Sequence, residues 1–336
     1  MMSFELRLLG KAELGKHPHC LELARAYAGI APLWERCCLA GYSTLGPWIA
    51  GRLGLDAAGM LGRADRIIAD LLAVTGASPA EIAAMLRRYV RLRLKRAAHL
   101  PFEEARASIY DQSFYPVVTH FTYAFQPSAT ARLNFVREAV GLICADGASV
   151  ADLGCGSGVI LSEVLMVKPS WRGYGLDISQ AAVDYARRLA QHKGVAARAC
   201  FNTGNLTRLP YADASLDMIV ASEVIEHTPE PRAAIREIRR ALKPGGRLVL
   251  TIPIASHTPG HAHTLGGSED LQLLLEEAGL SVRRLESRWH FGYGDDRRHC
   301  FALAEAAALP PVERNSYSLN EAAHGLTAAY SAPEII

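Results

Sequence analysis

The sequence predicts an α/β fold: a doubly wound, mostly parallel sheet that follows an all-helical N-terminal domain. From residue 149 onward, short apolar segments alternate with segments of helical periodicity. The first apolar segment ends in an acid, Asp152, and a turn with three closely spaced glycines. Residues 1–127 show helical periodicity and no strand-like alternation. We therefore expect a helical domain over 1–127, the sheet domain over 128–308 and a tail over 309–336.

Composition limits the function classes. Half of the 336 residues are apolar, which is enough for one large or two modest cores. Lys plus Arg number 36 against 34 Asp plus Glu, so no general attraction to nucleic acid or to an anionic membrane is expected. The sequence has no signal-like start and no uninterrupted run of 18 apolar residues, so we expect a cytoplasmic protein. Its seven cysteines contain no C-x-x-C pair, which favours reduced thiols over disulfides or structural zinc.

The N-terminal domain is predicted to contain helices near 12–28, 31–54, 63–75 and 79–99. The segment Ser78-Pro79-Ala80-Glu81 predicts a capping box at the start of the last of these helices. Arginines on that helix fit either a solvated face or a surface for nucleic acid or another acidic partner. Their placement between apolar core positions favours the solvated face.

The stretch 110–125 holds six aromatic residues in sixteen, including Tyr110, Tyr115 and Tyr123. Such rings can close over a bound cation and exclude water, as a lid would, or they can pack the helical layer onto the sheet. Both interpretations stay open. Ser128 is then predicted to be the N-cap of a helix that runs to Cys144.

Elements of the sheet domain follow in regular order. The pattern predicts strands near 149–153, 173–177, 198–202, 216–222 and 247–254, with two further strands at 281–290 and 299–306. Helices are expected near 157–167, 179–193, 230–242 and 268–279. Ligands bind at the carboxyl ends of the strands in such sheets.

Five segments carry a resemblance to a known family: residues 150–158, 173–177, 204–211, 223–227 and 242–248. In this order and spacing they resemble the class I S-adenosylmethionine (SAM) methyltransferases, particularly the ubiquinone-type O-methyltransferases. The resemblance covers roughly residues 128 to 306. It implies a Rossmann-like, seven-stranded sheet whose last two strands form an antiparallel edge, and it implies SAM as the cofactor.

The resemblance also implies a cofactor site. The glycines would let the backbone pass close to SAM, with Asp152 orienting the loop or the SAM ammonium group. Asp177, about 23 residues after Gly154, would bind the ribose hydroxyls. Asn205 stands where many relatives have aspartate, so its bond to the adenine amino group would be uncharged. The full predicted cofactor set is Asp152, Gly154, Cys155, Gly156, Gly158, Asp177, Ile178, Asn205, Leu206 and Ser222.

Catalytic candidates follow the fourth strand and precede the sheet domain. His227 is a candidate general base because the ordinary pKa of imidazole lies near neutral pH, although a purely structural role is equally open. Glu223 and Tyr110 complete the catalytic set. The predicted substrate contacts are Tyr115, Tyr123, Glu226 and His261.

His257, His261 and His263 follow the fifth strand with a spacing that suggests a metal site. The nearby sequence offers no carboxylate or cysteine to complete such a site, and methyl transfer needs no Lewis acid. We therefore interpret this segment as a substrate-facing loop and predict no metal.

The leading hypothesis is methyl transfer from SAM to an oxygen, nitrogen or carbon of a small molecule, in secondary metabolism. The alternative is a SAM cyclase that forms azetidine-2-carboxylate and methylthioadenosine on the same fold, with SAM alone as substrate. A third class is a binding or scaffold protein, which the intact Asp152, glycines and Asp177 argue against. No oligomeric state is predicted.

Overall fold

The fold was analysed in a computed structural model. It describes residues 18–19, 57–95, 110–125, 127–143, 145–254, 262–289 and 298–307. The expected helices near 12–28 and 31–54 lie outside the described residues, apart from positions 18–19, as does the tail.

The sheet has seven strands in the order β3-β2-β1-β4-β5-β7-β6. The strands are β1 Ser149–Leu153, β2 Arg172–Asp177, β3 Ala199–Thr203, β4 Leu216–Ser222, β5 Leu242–Ile254, β6 Leu280–Trp289 and β7 Arg298–Ala306. Strands β1 to β5 pair in parallel, whereas β7 runs antiparallel to both β5 and β6. The predicted fold class, including its antiparallel edge, is confirmed.

Eight helices of the described residues accompany the sheet: α1 Ala57–Thr75, α2 Pro79–Lys95, α3 Tyr115–Phe125, α4 Pro127–Gly141, α5 Val159–Val167, α6 Gln180–His192, α7 Pro231–Ala241 and α8 Ser268–Glu276. Helices α1 to α6 contribute to the hydrophobic core on one face of the sheet, and α7 and α8 cover the other. No single helix among those described is long and apolar enough to cross a membrane, although the bent pair Ala64–Thr75 and Pro79–Tyr89 meets the length and composition test together.

Two predictions about helix starts had different outcomes. The capping box is confirmed: Ser78 N and Oγ both donate to Glu81 Oε2 at 2.8 Å, and Glu81 N donates back to Ser78 Oγ at 3.3 Å. The prediction for Ser128 is wrong, because α4 already begins at Pro127 and places Ser128 inside its first turn. Proline suits that position, since its fixed φ matches a helix and its missing N–H is not needed there.

The helical layer and the sheet share one apolar cluster, which runs from Ile68 and Leu71 on α1 to Val150 on β1. Polar contacts add to it at α6. Asp70 on α1 pairs with His192 Nε2 at 3.0 Å and with Lys193. The helices of this layer are thereby fixed against the sheet, while the domain boundary near residue 127 stays a prediction.

Candidate functional site

The glycine turn lies at the carboxyl ends of β1 and β2. Gly154 N and Cys155 N both donate to Leu176 O, at 2.7 and 3.0 Å. Gly154 has φ +67°, and a Cβ on it would lie 2.3 Å from Val224 Cγ2. Gly158, with φ +76°, would clash in the same way with Ala186 Cβ at 2.7 Å. Glycine is therefore required here both by backbone conformation and by close packing.

Asp177, at the end of β2, reaches across to this turn. Its Oδ2 accepts the N–H of Gly156 at 2.8 Å, and its Oδ1 accepts the N–H of Ser179 at 2.9 Å. Burial raises the pKa of Asp177, and these backbone donors oppose that rise. Each oxygen keeps a further lone pair, so the carboxylate can still accept hydrogen bonds from a ligand diol.

Asp152 lies in β1, two residues before Gly154 of the glycine turn. Its side chain is buried, with 2% relative exposure. Burial first, and then the charge of Asp177, raises its pKa to about 8. A backbone hydrogen bond from Leu161 opposes this rise. Its Oδ2 has no hydrogen-bond partner among the described residues. A buried, unpaired carboxyl oxygen fits a cationic or N–H-bearing ligand group, such as the ammonium of SAM.

The aromatic stretch contributes to the same edge. Tyr110 Oη lies 3.3 Å from His227 Nδ1, and the Tyr110 and Tyr115 rings meet edge to face with centroids 5.0 Å apart. Ser179 Oγ donates to the carbonyl of Tyr110 at 2.7 Å. Thr119 Oγ1 on α3 lies 3.7 Å from where a Cβ on Gly156 would be. The segment from Tyr110 to α3 therefore lies across the ends of β2 and β4.

Glu223 follows β4 in a strained conformation, with φ +56°. Its Oε1 accepts from Thr251 Oγ1 at 3.0 Å and lies 3.1 Å from His299 Nδ1. Its Oε2 lies 3.7 Å from a guanidinium nitrogen of Arg132, on α4. Contacts from α4, β5 and β7 thus hold this carboxyl in place.

Glu226 lies one residue before His227 in a short 3₁₀ turn and is 2% exposed. Its carbonyl accepts from Ala262 N at 2.7 Å and from His263 N at 3.2 Å. Burial first, and then the charge of Glu223, raises the pKa of Glu226 well above its usual range. Its Oε1 lies 3.8 Å from His227 Nε2, and its Oε2 has no partner within the described part of the chain.

Three predicted residues need separate comment. Tyr123 is 9% exposed and hydrogen-bonds Arg132, the arginine beside Glu223, so it lies in the interior next to this centre. Asn205 is exposed, and its Oδ1 accepts from Thr207 N and Oγ1 at 3.0 and 3.1 Å. His261 lies outside the described residues.

The remaining predicted cofactor residues lie around the same edge. Ser222 Oγ lies 2.9 Å from Thr251 Oγ1, and Ile178 and Leu206 are partly buried. Cys155 is buried, and burial raises the pKa of its thiol well above the usual range, which disfavours a nucleophilic role.

No group of three His, Cys, Asp or Glu side chains among the described residues could hold a metal ion. His257 and His261 fall outside that part of the chain. His263 is exposed, and its Nε2 donates to the carbonyl of Pro229 at 2.6 Å.

Sequence reasoning missed Arg132, Thr251 and His299, which surround Glu223. Thr251 carried a signal, since it is a polar residue inside the otherwise apolar run of β5. Arg132 carried none, because an arginine on a helix is ordinarily a surface residue.

Comparisons with known proteins find similarity to methyltransferases in the sheet region of this chain. Residues 151–250 match a family described as a methyltransferase domain. A Mycolicibacterium smegmatis protein whose name describes a SAM-dependent methyltransferase is 34% identical over 48% of this chain and 63% of its own length. The 27-O-demethylrifamycin SV methyltransferase of Amycolatopsis mediterranei is 35% identical over 31% of this chain and 38% of its own. This chain thus spans less than two thirds of either relative.

Among solved structures, the geranyl diphosphate C-methyltransferase of Streptomyces coelicolor is similar, with a TM-score of 0.48 and 14% identity. The match covers 58% of this chain and 85% of that protein.

Proposed function

Because this chain belongs to the class I SAM-dependent methyltransferase superfamily, we propose that it transfers the methyl group of SAM to an oxygen, nitrogen or carbon of a small molecule. We further propose that the product is a secondary metabolite. The relative named for methylating a demethylrifamycin supports a small-molecule acceptor.

One observation carries the proposal: the buried Oδ2 of Asp152, which has no partner among the described residues. Burial favours the uncharged form of this carboxyl. Ionising it lowers the stability of the fold unless a ligand supplies a positive charge. SAM carries both an ammonium group and a sulfonium. The glycines of the turn beside Asp152 have no Cβ, so a ligand can approach their backbone closely.

Other residues divide the binding of SAM between them. Asp177 accepts hydrogen bonds from the ribose hydroxyls, using the lone pairs that the N–H groups of Gly156 and Ser179 leave free. Ile178 and Leu206 provide apolar contacts for the adenine.

Asn205 hydrogen-bonds the adenine amino group only if the Asn205 carbonyl shares its present bonds to Thr207. Ser222 lies at the end of β4, where its hydroxyl supports the methionine part of SAM.

Bound SAM supplies an electrophilic methyl group, so the protein has mainly to position the acceptor and remove its proton. Tyr110 and His227 lie within 3.3 Å of each other and can act on an acceptor hydroxyl or amine. Tyr115 extends the aromatic wall beside Tyr110. Thr251 and other contacts hold Glu223 in a fixed position at the bottom of the site.

Calorimetry with SAM tests the cofactor site. Asp177→Ala removes the carboxylate proposed for the ribose and is expected to weaken SAM binding by about ten- to a hundredfold, since hydrogen bonds to charged groups contribute about 1.5–3 kcal/mol each. Asp146→Ala, at an exposed acid in a turn, is the matched control and should bind SAM as the wild type does. Equal SAM affinity in the two variants would contradict the proposed site.

Product analysis by mass spectrometry tests the reaction. The protein is incubated with SAM alone and then with panels of phenols, amines and carboxylic acids. We expect S-adenosylhomocysteine only when an acceptor is present. Methylthioadenosine from SAM alone, above a heat-treated control, would instead support the azetidine-forming cyclase.

A further inference from the structure

Three side chains form a continuous path from the aromatic wall into the protein interior. Tyr110 Oη lies 3.3 Å from His227 Nδ1, and His227 Nε2 lies 3.8 Å from Glu226 Oε1. The exposure of the side chains falls along the path: His227 is 24% exposed and Glu226 is 2% exposed. The two ring nitrogens of His227 therefore face a phenol on the outer side and a carboxyl on the inner side.

The backbone fixes the inner end of this path. The 3₁₀ turn Ile225–His227 is closed by His227 N donating to Val224 O at 3.1 Å. The carbonyl of Glu226 is held from the other side by Ala262 N. With both ends fixed, Glu226 stays adjacent to the ring of His227.

We propose that Tyr110, His227 and Glu226 form a proton relay that carries the acceptor's proton away from the site of methyl transfer, with Glu226 as its terminal acceptor. This inference rests on the proposed function. It gives Glu226 a role other than the predicted substrate contact, because a carboxyl at 2% exposure lies behind His227.

The proton balance of the relay is simple. The acceptor's O–H or N–H bond breaks, and its proton passes to Tyr110 Oη as the phenol proton moves to His227 Nδ1. The proton on His227 Nε2 then passes to the ionised carboxylate of Glu226. The distance from Nε2 to Oε1 must close from 3.8 Å to a hydrogen-bond length of about 2.8 Å. The electron pair left on the acceptor forms the new bond to the methyl carbon, while the bond from that carbon to the sulfur of SAM breaks and its electron pair stays on the sulfur, so that S-adenosylhomocysteine leaves.

Charges around Glu226 suit a terminal proton acceptor. Burial is the main cause that raises the pKa of Glu226, and Glu223 adds to the rise as a like charge, whereas Arg132 on α4 faces Glu226 as a cation and favours its ionised form. His227 is the third titratable group at this point. The raised pKa of Glu226 makes its carboxylate a stronger base than an exposed glutamate, and the relay is lost as the pH falls through that pKa.

Nuclear magnetic resonance of the full chain, labelled with ¹⁵N-histidine, tests the relay without any acceptor. The His227 ring signals, assigned by their loss in His227→Gln, are followed over the whole pH range in which the protein stays folded. We expect two inflections in the wild type, one from the ring and one from Glu226, because charges this close titrate together. Glu226→Gln should leave one inflection and lower the proton affinity of the ring.

Glu230→Gln is the matched control, since Glu230 is an exposed acid three residues beyond His227. It should reproduce the wild-type curve. A single inflection in the wild type, or identical curves for wild type and Glu226→Gln, overturns the relay. Tyr110→Phe tests the outer end: loss of the phenol should shift the Nδ1 signal and leave the second inflection in place.

Calorimetry with SAM on the same samples separates the two proposals. If SAM fails to bind, the proposed function fails whatever the histidine curves show. If SAM binds and the His227 titration curve is the same in the wild type and in Glu226→Gln, the relay alone is refuted.

Discussion

Replacing Asp152 with asparagine is expected to stabilise the fold while weakening SAM binding. The pKa of Asp152 rises from an ordinary 3.8 to about 8 on folding. Because the pKa is higher in the folded protein, ionisation of Asp152 lowers the free energy of unfolding. This loss begins near pH 4, grows with pH and levels off above about pH 8. With 1.36 kcal/mol for each pH unit between the unfolded pKa and the working pH, the loss is about 2 kcal/mol at pH 5 and about 4 kcal/mol at pH 7.

Asparagine keeps the shape of the side chain and an oxygen for the Leu161 backbone N–H, yet it does not titrate. Relative to wild type, Asp152→Asn should therefore gain about 2–3 kcal/mol in unfolding free energy between pH 5 and pH 7, which are two pH units apart. Urea unfolding at both pH values measures this difference. Asp146→Asn, at an exposed acid, is the control and should show no such gain. A stability difference between wild type and Asp152→Asn that does not change with pH would refute the reasoning.

The same carboxyl links folding to ligand binding. If the SAM ammonium pairs with Asp152, the carboxyl must ionise on binding and release up to one proton near pH 7. The binding enthalpy of the wild type should then depend on the ionisation enthalpy of the buffer, and that of Asp152→Asn should not. A buffer-independent wild-type enthalpy would place the ammonium elsewhere.

Two other predictions concern packing and acid sensitivity. Gly158→Ala should lower unfolding free energy by about 1–3 kcal/mol more than Gly147→Ala, because both have positive φ but only the first places a Cβ 2.7 Å from Ala186 Cβ. Equal losses in urea unfolding would show that packing is not the cause. Burial lowers the pKa of His120, which lies 2.6 Å from Tyr185 Oη, to about 3, so wild-type stability should fall below pH 6.5 by about 2 kcal/mol at pH 5. His120→Phe should lack this acid-dependent loss in the same assay, and an unchanged slope would contradict the assignment.

The sheet was predictable because each strand is a short apolar run bounded by turn residues. Strands Ser149–Leu153 and Leu216–Ser222 have the expected bounds. The fifth strand begins at Leu242 instead of 247, since Leu242 pairs with Leu216 before a register shift at Met218. Periodicity alone cannot detect such a pairing, because it depends on the neighbouring strand.

The site was predictable only where its residues are close in sequence. The glycine turn and Asp177 belong to one strand–helix–strand unit, so spacing alone identifies them. Arg132 and His299 reach Glu223 from positions 91 and 76 residues away, as counted from their numbers. One sequence contains no information on which distant residues meet, so this cluster could not be predicted.

The acids at this edge of the sheet are difficult to explain by stability alone. Asp152 and Glu226 are buried with raised pKa values, and Glu223 adopts a φ that costs on the order of 1–3 kcal/mol for a residue other than glycine. Within the described cluster, only Arg132 provides a permanent positive charge, and it faces Glu223 and Glu226. A cationic ligand would offset part of this loss by allowing a buried carboxyl to ionise. The strain and the two carboxyl oxygens without a partner among the described residues, Asp152 Oδ2 and Glu226 Oε2, therefore favour a site selected for binding a cation over a cluster selected for folding.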